Sequence, residues 1–190
     1  MATTTAKLDV LTIGYAHDRV ASTCTLVRDG DAVIVIDPGM VANRALLLQP
    51  LADLGLGAQE VTDIVISHHH PDHTVNIALF PNAKLHDVMA TYVDDLWLDH
   101  EPGEFAVSPA VRLVATPGHT DQDVSTLVQS DDGLIVLTHL WWGAQGPAQD
   151  PFAADVAVLK ASREKVLALE PALIVPGHGA PFAPTESTPR

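Results

Sequence analysis

Four short runs of β-branched and aliphatic residues each end in a histidine-bearing turn, and this recurrence constrains the fold more than any other feature. Residues 61–67 run into Ser67-His68-His69-His70-Pro71-Asp72-His73. Residues 111–115 lead to Thr116-Pro117-Gly118-His119, residues 134–137 to Thr138-His139, and residues 173–175 to Pro176-Gly177-His178-Gly179. Runs of this length and composition read as buried strands. A rigid sheet aims the loops at its strand ends toward a common point. His68, His70, His73, His119, His139 and His178 are therefore expected to converge. Gly118, Gly177 and Gly179 permit the tight turns and close backbone approach that such a pocket requires.

Imidazole and carboxylate are natural ligands for a borderline cation such as Zn²⁺, and three or four of them complete a site. His68 and His70 stand two apart on an extended segment, so their rings can point the same way. Asp72 and His73 can then turn toward a second metal. Any one of these histidines alone would be read as an ordinary surface or core residue; the loop cluster together with three strand-end histidines is not. His69 is expected to face away from the metals. His17, His86 and His100 have no such context and are read as structural.

Around these motifs the chain alternates strands and helices. Residues 8–13, 22–27 and 33–36 read as strands, the last two joined by the Asp29-Gly30-Asp31 turn. Residues 41–54 read as a crossover helix closed near Gly55, with Pro50 kinking it or ending it early. A short helix is expected over 74–80, a strand over 83–86 and an acidic surface loop over 94–104. Residues 124–128 and 134–137 read as strands about the Asp131-Asp132-Gly133 turn. Val156, Leu159, Val166 and Leu169 are spaced as the apolar face of a helix over 155–169. Two groups of strands, each followed by a helix, suggest packed sheets with helices outside. One domain over residues 1–190 is expected, its core about 8–182 and its polar ends frayed.

Net charge is −14, with ten Lys and Arg against 24 Asp and Glu. That surface repels phosphate backbones, so a nucleic-acid partner is disfavoured. No run approaches the roughly 20 apolar residues that span a bilayer, and residues 1–7 lack the apolar core of a signal peptide. A cytoplasmic location without membrane association is expected. The single cysteine, Cys24, excludes an internal disulfide and reads as a small core residue. The order of assembly, monomer or oligomer, is open.

In these residues the chain resembles the metallo-β-lactamase superfamily, over about residues 8–182. Asp37 after an early strand, the loop from Ser67 to His73, Thr116-Pro117-Gly118-His119-Thr120 and Pro176-Gly177-His178-Gly179 stand in the family's order. The resemblance implies an α+β fold, a four-layer αββα sandwich of two mixed sheets with outer helices and metals at one sheet edge. By position it implies His68, His70 and His119 around a first metal and Asp72, His73 and His178 around a second. Asp37 would steady the ligand loop without itself ligating. Two Zn²⁺ per chain are implied, with iron or manganese as alternatives, and a zinc-activated hydroxide as nucleophile, oriented by Asp72.

One position departs from the family pattern. Many hydrolytic members carry Gly-Asp where this chain has Thr138-His139, and that aspartate bridges both metals. A neutral imidazole offers one lone pair and cannot bridge as a carboxylate does. A weaker second site or a more acidic bridging water is expected. His139 is left as a terminal ligand to the second metal, a partner of the hydroxide, or a bystander.

The resemblance implies a metallo-hydrolase acting on a small ester, lactone, thioester or amide. A phosphodiesterase or RNA-cutting nuclease is the alternative, since the chain also looks broadly like a group of the family that includes a histone-mRNA nuclease. An iron dioxygenase would want a carboxylate where His139 stands, and a non-catalytic metal-binding protein has no need of a complete ligand loop. A secreted β-lactamase is disfavoured by the expected location, and a glyoxalase II role by the lack of an extra substrate-binding domain. Trp141 and Trp142 are candidates for a substrate wall, with one in the core and one at the pocket as the favoured division. Phe80, Trp97 and Phe152 are ambiguous.

Overall fold

The computed structural model describes residues 5–101 and 103–190. In chain order the first half contributes β1 (Lys7–Thr12), a small hairpin of β2 (Tyr15–Ala16) and β3 (Val20–Ala21), then β4 (Cys24–Asp29) and β5 (Ala32–Ile36). Helix α1 (Ala45–Asp53), β6 (Asp63–Val65), the one-turn helix α2 (Pro71–Thr74), β7 (Lys84–His86), β8 (Ala90–Val93) and β9 (Leu96–Asp99) follow. The second half contributes β10 (Glu104–Ser108), β11 (Val111–Ala115), β12 (Val124–Ser130), β13 (Gly133–Thr138), α3 (Val156–Leu167) and β14 (Leu173–Pro176).

Two mixed sheets result, ordered β1-β4-β5-β6-β7-β8-β9 and β10-β11-β12-β13-β14. The β5–β6, β6–β7 and β13–β14 pairs are parallel, which brings the carboxyl ends of β5 and β6, and those of β13 and β14, side by side. Residues alternate between the two faces of a strand, and here both faces are covered. Val27, Ile34, Ile36 and Val65 of the first sheet meet Val111, Val128, Leu137 and Val175 of the second. Their alternates Leu26, Val35 and Ile64 pack under Leu47 and Leu51 of α1. Val114, Leu127, Val136 and Ile174 pack under Leu159 and Val166 of α3. This is the αββα sandwich that the resemblance implied.

Helix starts follow local chemistry. Asp155 caps α3 by accepting the Ala157 N–H at 2.7 Å. Pro71 opens α2 at the first helical position, where its missing N–H costs nothing. Pro50 does not end α1. Leu46, whose carbonyl would have accepted the missing N–H, is exposed, so water can serve it.

Three expectations need correction. In place of a helix over 74–80 there are α2 and a 3₁₀ turn at Ile77–Leu79. The stretch over 94–104 is not a loop: Leu96–Asp99 is β9, paired antiparallel to β8. All four of its residues are exposed, so no burial pattern marks it as a strand. Pro102 lies outside the described residues. The ends do not fray where they are described. Ala6 N–H reaches the Gln129 carbonyl at 2.8 Å, Thr188 is buried, and the Trp141 indole N–H reaches the Pro189 carbonyl at 2.9 Å. Residues 1–4 lie outside the described part. Among the described residues no helix is long and apolar enough to cross a membrane.

At the shared edge the sheets are tied by backbone bonds, Val124 N–H to the Ser67 carbonyl at 2.9 Å and Thr23 N–H to the Gly177 carbonyl at 2.8 Å. Gly39, just after β5, lets α2 approach. A Cβ there would stand 1.5 Å from the Asp72 carbonyl oxygen. Backbone on both sides leaves no flexible group to yield. Gly39→Ala is therefore expected to lower stability by about 1–3 kcal/mol or more. Gly143→Ala, where a Cβ meets nothing within 4 Å, is expected to stay within about 0.5 kcal/mol of wild type. Urea unfolding midpoints of the two variants check this.

Candidate metal centre

Asp37 organises the edge. It follows β5 with φ of 53°, in the left-handed region that non-glycine residues rarely occupy. Its neighbours over-determine that conformation. One carboxylate oxygen accepts the Ser67 N–H at 2.7 Å, the other accepts His73 Nδ1–H at 2.8 Å, and its carbonyl accepts the Ser22 hydroxyl at 2.8 Å. The start of the histidine loop and one of its rings are thereby set by a single side chain.

The strand-end histidines do converge. His70 Nδ1 lies 2.9 Å from His68 Nε2 and 3.1 Å from His119 Nε2. The Asp72 carboxylate lies 3.4 Å from His73 Nε2 and 3.5 Å from His178 Nε2. His139 stands between the two groups. Ring nitrogens of His68, His119 and His139 fall within 4.8 Å of one another, and so do those of His73, His139 and His178. His139 Nε2 is 3.0 Å from His178 Nε2, while its Nδ1 is buried without a partner. Room for this ring depends on Gly177, where a Cβ would come within 2.4 Å of it.

The outer nitrogens decide what the inner ones can be. His73 Nδ1–H is given to Asp37, His119 Nδ1–H to Asp150 at 2.8 Å and His178 Nδ1–H to the Ala21 carbonyl at 2.9 Å. Each inner Nε2 is then a bare lone pair, and that of His73 is buried with no hydrogen-bond partner. Protons are poor occupants of the centre. Burial first, and then repulsion among the rings, holds His68 and His139 well below the usual imidazole range and lowers His70 in the same direction. Burial lowers His178 in the same direction. Buried nitrogen lone pairs together with a carboxylate are a donor set suited to a metal cation.

Other groups hold the loops in place. Buried Asp123 accepts the His119 and Thr120 N–H groups at 2.6 and 3.0 Å and fixes that turn. His69 turns outward, as expected, and pairs with Asp87 at 3.0 Å, which also accepts the Tyr92 hydroxyl at 2.9 Å. His86 is bound to Asp63 and Thr91, and His100 stacks on Phe105. Cys24 is fully buried, and burial pushes its thiol far above the usual range.

Above the cluster lies a cavity of about 470 Å³. His70, Asp72, His119 and His178 form its floor; Ala16, Val20, Trp142 and Phe152 form its walls, with His17 beside them. Trp141 does not reach it. Its ring is fully buried beneath α3, with the Arg163 guanidinium 5.6 Å from its centre. Sequence reasoning gave His17 no role and missed Asp150 and Asp123. Asp123 accepts the N–H groups of residues three and four places before it, the reverse of an Asx turn, so no turn pattern marks it. Asp150 stands 31 residues from its histidine and carries no local pattern.

The lowered histidines give a pH dependence. Their folded values lie below the unfolded value of about 6.5, so the unfolded chain binds more protons between the two. Their contribution to stability is fully present above about pH 6.5 and is lost as pH falls. Metal-stripped protein should therefore melt progressively lower from pH 7.5 to pH 5, in a thermal melt followed by circular dichroism. A flat profile would contradict the inward-facing cluster.

Comparison with known proteins agrees with this geometry. The sequence pattern of the Metallo-beta-lactamase superfamily matches residues 17–89. The chain is 31% identical to Metallo-beta-lactamase domain-containing protein 1 of Xenopus laevis, over 93% of this chain and 81% of that one. It is 34% identical to the protein of the same name from Mus musculus, over 82% of this chain but 62% of the mouse protein's length. Among solved structures, a metallo-beta-lactamase-like protein of Thermotoga maritima superposes with a TM-score of 0.74 at 22% identity, over 95% of this chain and all of that one. An N-acyl homoserine lactone hydrolase with N-hexanoyl-L-homoserine at its catalytic metal centre superposes with a TM-score of 0.65 at 19% identity, over 94% of each chain. At such identity the structures speak for the fold alone, and the frog relative carries the assignment: this chain belongs to the metallo-β-lactamase superfamily.

Proposed function

We propose that the chain is a metal-dependent hydrolase of small acyl compounds, an ester, lactone, thioester or amide. The observation that carries this reading is the cavity itself, whose floor is the histidine–aspartate cluster and whose walls are largely apolar. His68, His70 and His119 would hold one zinc ion. Asp72, His73 and His178 would hold a second, with His139 Nε2 a further ligand on the His178 side. When bound, zinc would supply a water acidified toward neutrality and a Lewis acid for the carbonyl oxygen. Asp72, half-buried and facing the cavity, would orient that water and accept its proton. Trp142 and Phe152, with ring centres 6.0 Å apart and planes inclined by 30°, would grip the apolar part of the substrate.

The cavity continues past His17 and Trp142 into a second chamber of about 360 Å³ beside Gln145 and Pro147. Neither chamber is lined by Lys or Arg. A polyanionic backbone would find no Lys or Arg there among the described residues, and the net charge of −14 opposes its approach. The lactone hydrolase among the structural neighbours binds a small acyl product at its metal centre, the size and class of molecule that this cavity suits. A nuclease reading has no comparable support, and an iron dioxygenase lacks its carboxylate at position 139.

Protein reconstituted with zinc is expected to hold one to two ions per chain and to hydrolyse a phenyl ester or a lactone. Chelation should abolish turnover, zinc should restore it, and His119→Ala should lower kcat/KM by about 100-fold or more. Metal content below roughly a third of an ion per chain would sink the reading, because a site with seven candidate ligands should fill. Faster turnover of bis-p-nitrophenyl phosphate than of any acyl compound would replace it with a phosphodiesterase.

A further inference from the structure

One oxygen atom joins the metal centre to the wall of the cavity. Asp150 is buried, with its side chain wholly shielded from solvent. Its Oδ2 accepts two ring N–H groups at the same distance, His119 Nδ1–H at 2.8 Å and Trp142 Nε1–H at 2.8 Å. Its Oδ1 accepts the Phe152 N–H at 2.9 Å. The carboxylate thus holds a cluster histidine and both aromatic walls. No other described group competes for the His119 Nδ1 or Trp142 Nε1 protons.

The segment is fixed from its other side as well. Arg163 of α3 is fully buried and donates to the carbonyls of Leu140, Pro147 and Ala148 at 2.9, 2.7 and 3.0 Å. The turn between Trp142 and Asp150 therefore cannot drift to relieve a change at the shared oxygen. A carboxylate behind a metal-bound imidazole fixes its tautomer and raises its basicity as a ligand. A cation on Nε2 in turn makes Nδ1–H a stronger donor. The His119 bond then draws more heavily on Oδ2, and the indole bond to that oxygen weakens.

We propose that Asp150 is a positioning residue that couples metal loading at His119 to the setting of Trp142, and so to the shape of the substrate wall. Coupling between two binding events is reciprocal, so a ligand that presses on Trp142 also shifts metal affinity. The inference rests on His119 being a metal ligand, as the proposed function has it.

Zinc titration of the metal-stripped full chain tests this, with tryptophan fluorescence and a competing chelator read in parallel. Wild type should show a zinc-dependent fluorescence change that saturates with binding. Asp150→Asn should keep its circular dichroism spectrum, bind zinc about 10- to 100-fold more weakly and lose the change even when saturated. Trp142→Phe keeps Asp150 and most of the wall volume, so it serves should the first variant fold poorly. It should bind zinc within about threefold of wild type, since Oδ2 then serves His119 alone, and lose most of the change. Unaltered zinc affinity in Asp150→Asn, or an undiminished signal in Trp142→Phe, would overturn the coupling while leaving the metal site intact. Wild type that binds no zinc would overturn both the metal reading and this one.

Discussion

The outer nitrogens of His73, His119 and His178 are each tied to a fixed acceptor, Asp37, Asp150 and the Ala21 carbonyl. Their inner nitrogens have no freedom to become donors. Ring nitrogens of the cluster stand about 3 Å apart there, and a cation bound among them would draw on their lone pairs. The edge of the sandwich is built to sustain this arrangement. Asp37 accepts a left-handed backbone to reach Ser67 and His73, and Gly39 gives up its side chain so that Asp72 can approach. Backbone bonds from Val124 and Thr23 lock the two sheets together at that same edge.

Much of this was legible in the chain because it is written in local chemistry. The strands before His68, His119, His139 and His178 are short and β-branched, and Gly or Pro marks three of the turns that follow. The convergence of these histidines is a property of sheet topology, which periodicity suggests but does not define; the family resemblance supplied the register. What stayed hidden depends on distance along the chain. Asp150 meets His119 across 31 residues. Strand β9 has no buried face, so Leu96, Trp97 and Leu98 produce no alternation to read. Trp142 was a candidate for the cavity wall from the sequence, but the other walls come from the small β2–β3 hairpin and from Phe152, segments whose sequence carries no signal of what they face.

His139 distinguishes this centre from the pattern of its family. The ring is buried, stands among both groups of histidines and fills the space that a side chain at position 177 would need. Replacing a carboxylate by imidazole removes a negative charge from among the metal positions and adds bulk there. In the two-metal centre proposed above, both changes would favour two positions of different affinity. Metal identity, and not the fold, would then be the variable that such a substitution tunes.

The last turn of the chain also carries a mechanical consequence. Trp141 lies directly behind the wall residue Trp142, and its indole N–H ends on the carbonyl of Pro189. Loss of that carbonyl would leave the indole N–H buried and unpaired, a cost of about 1–3 kcal/mol. The loosened ring adjoins the recognition surface, not a distant corner of the molecule. The carbonyl of Pro189, 48 residues along the chain from that ring, thus acts as a brace for the cavity.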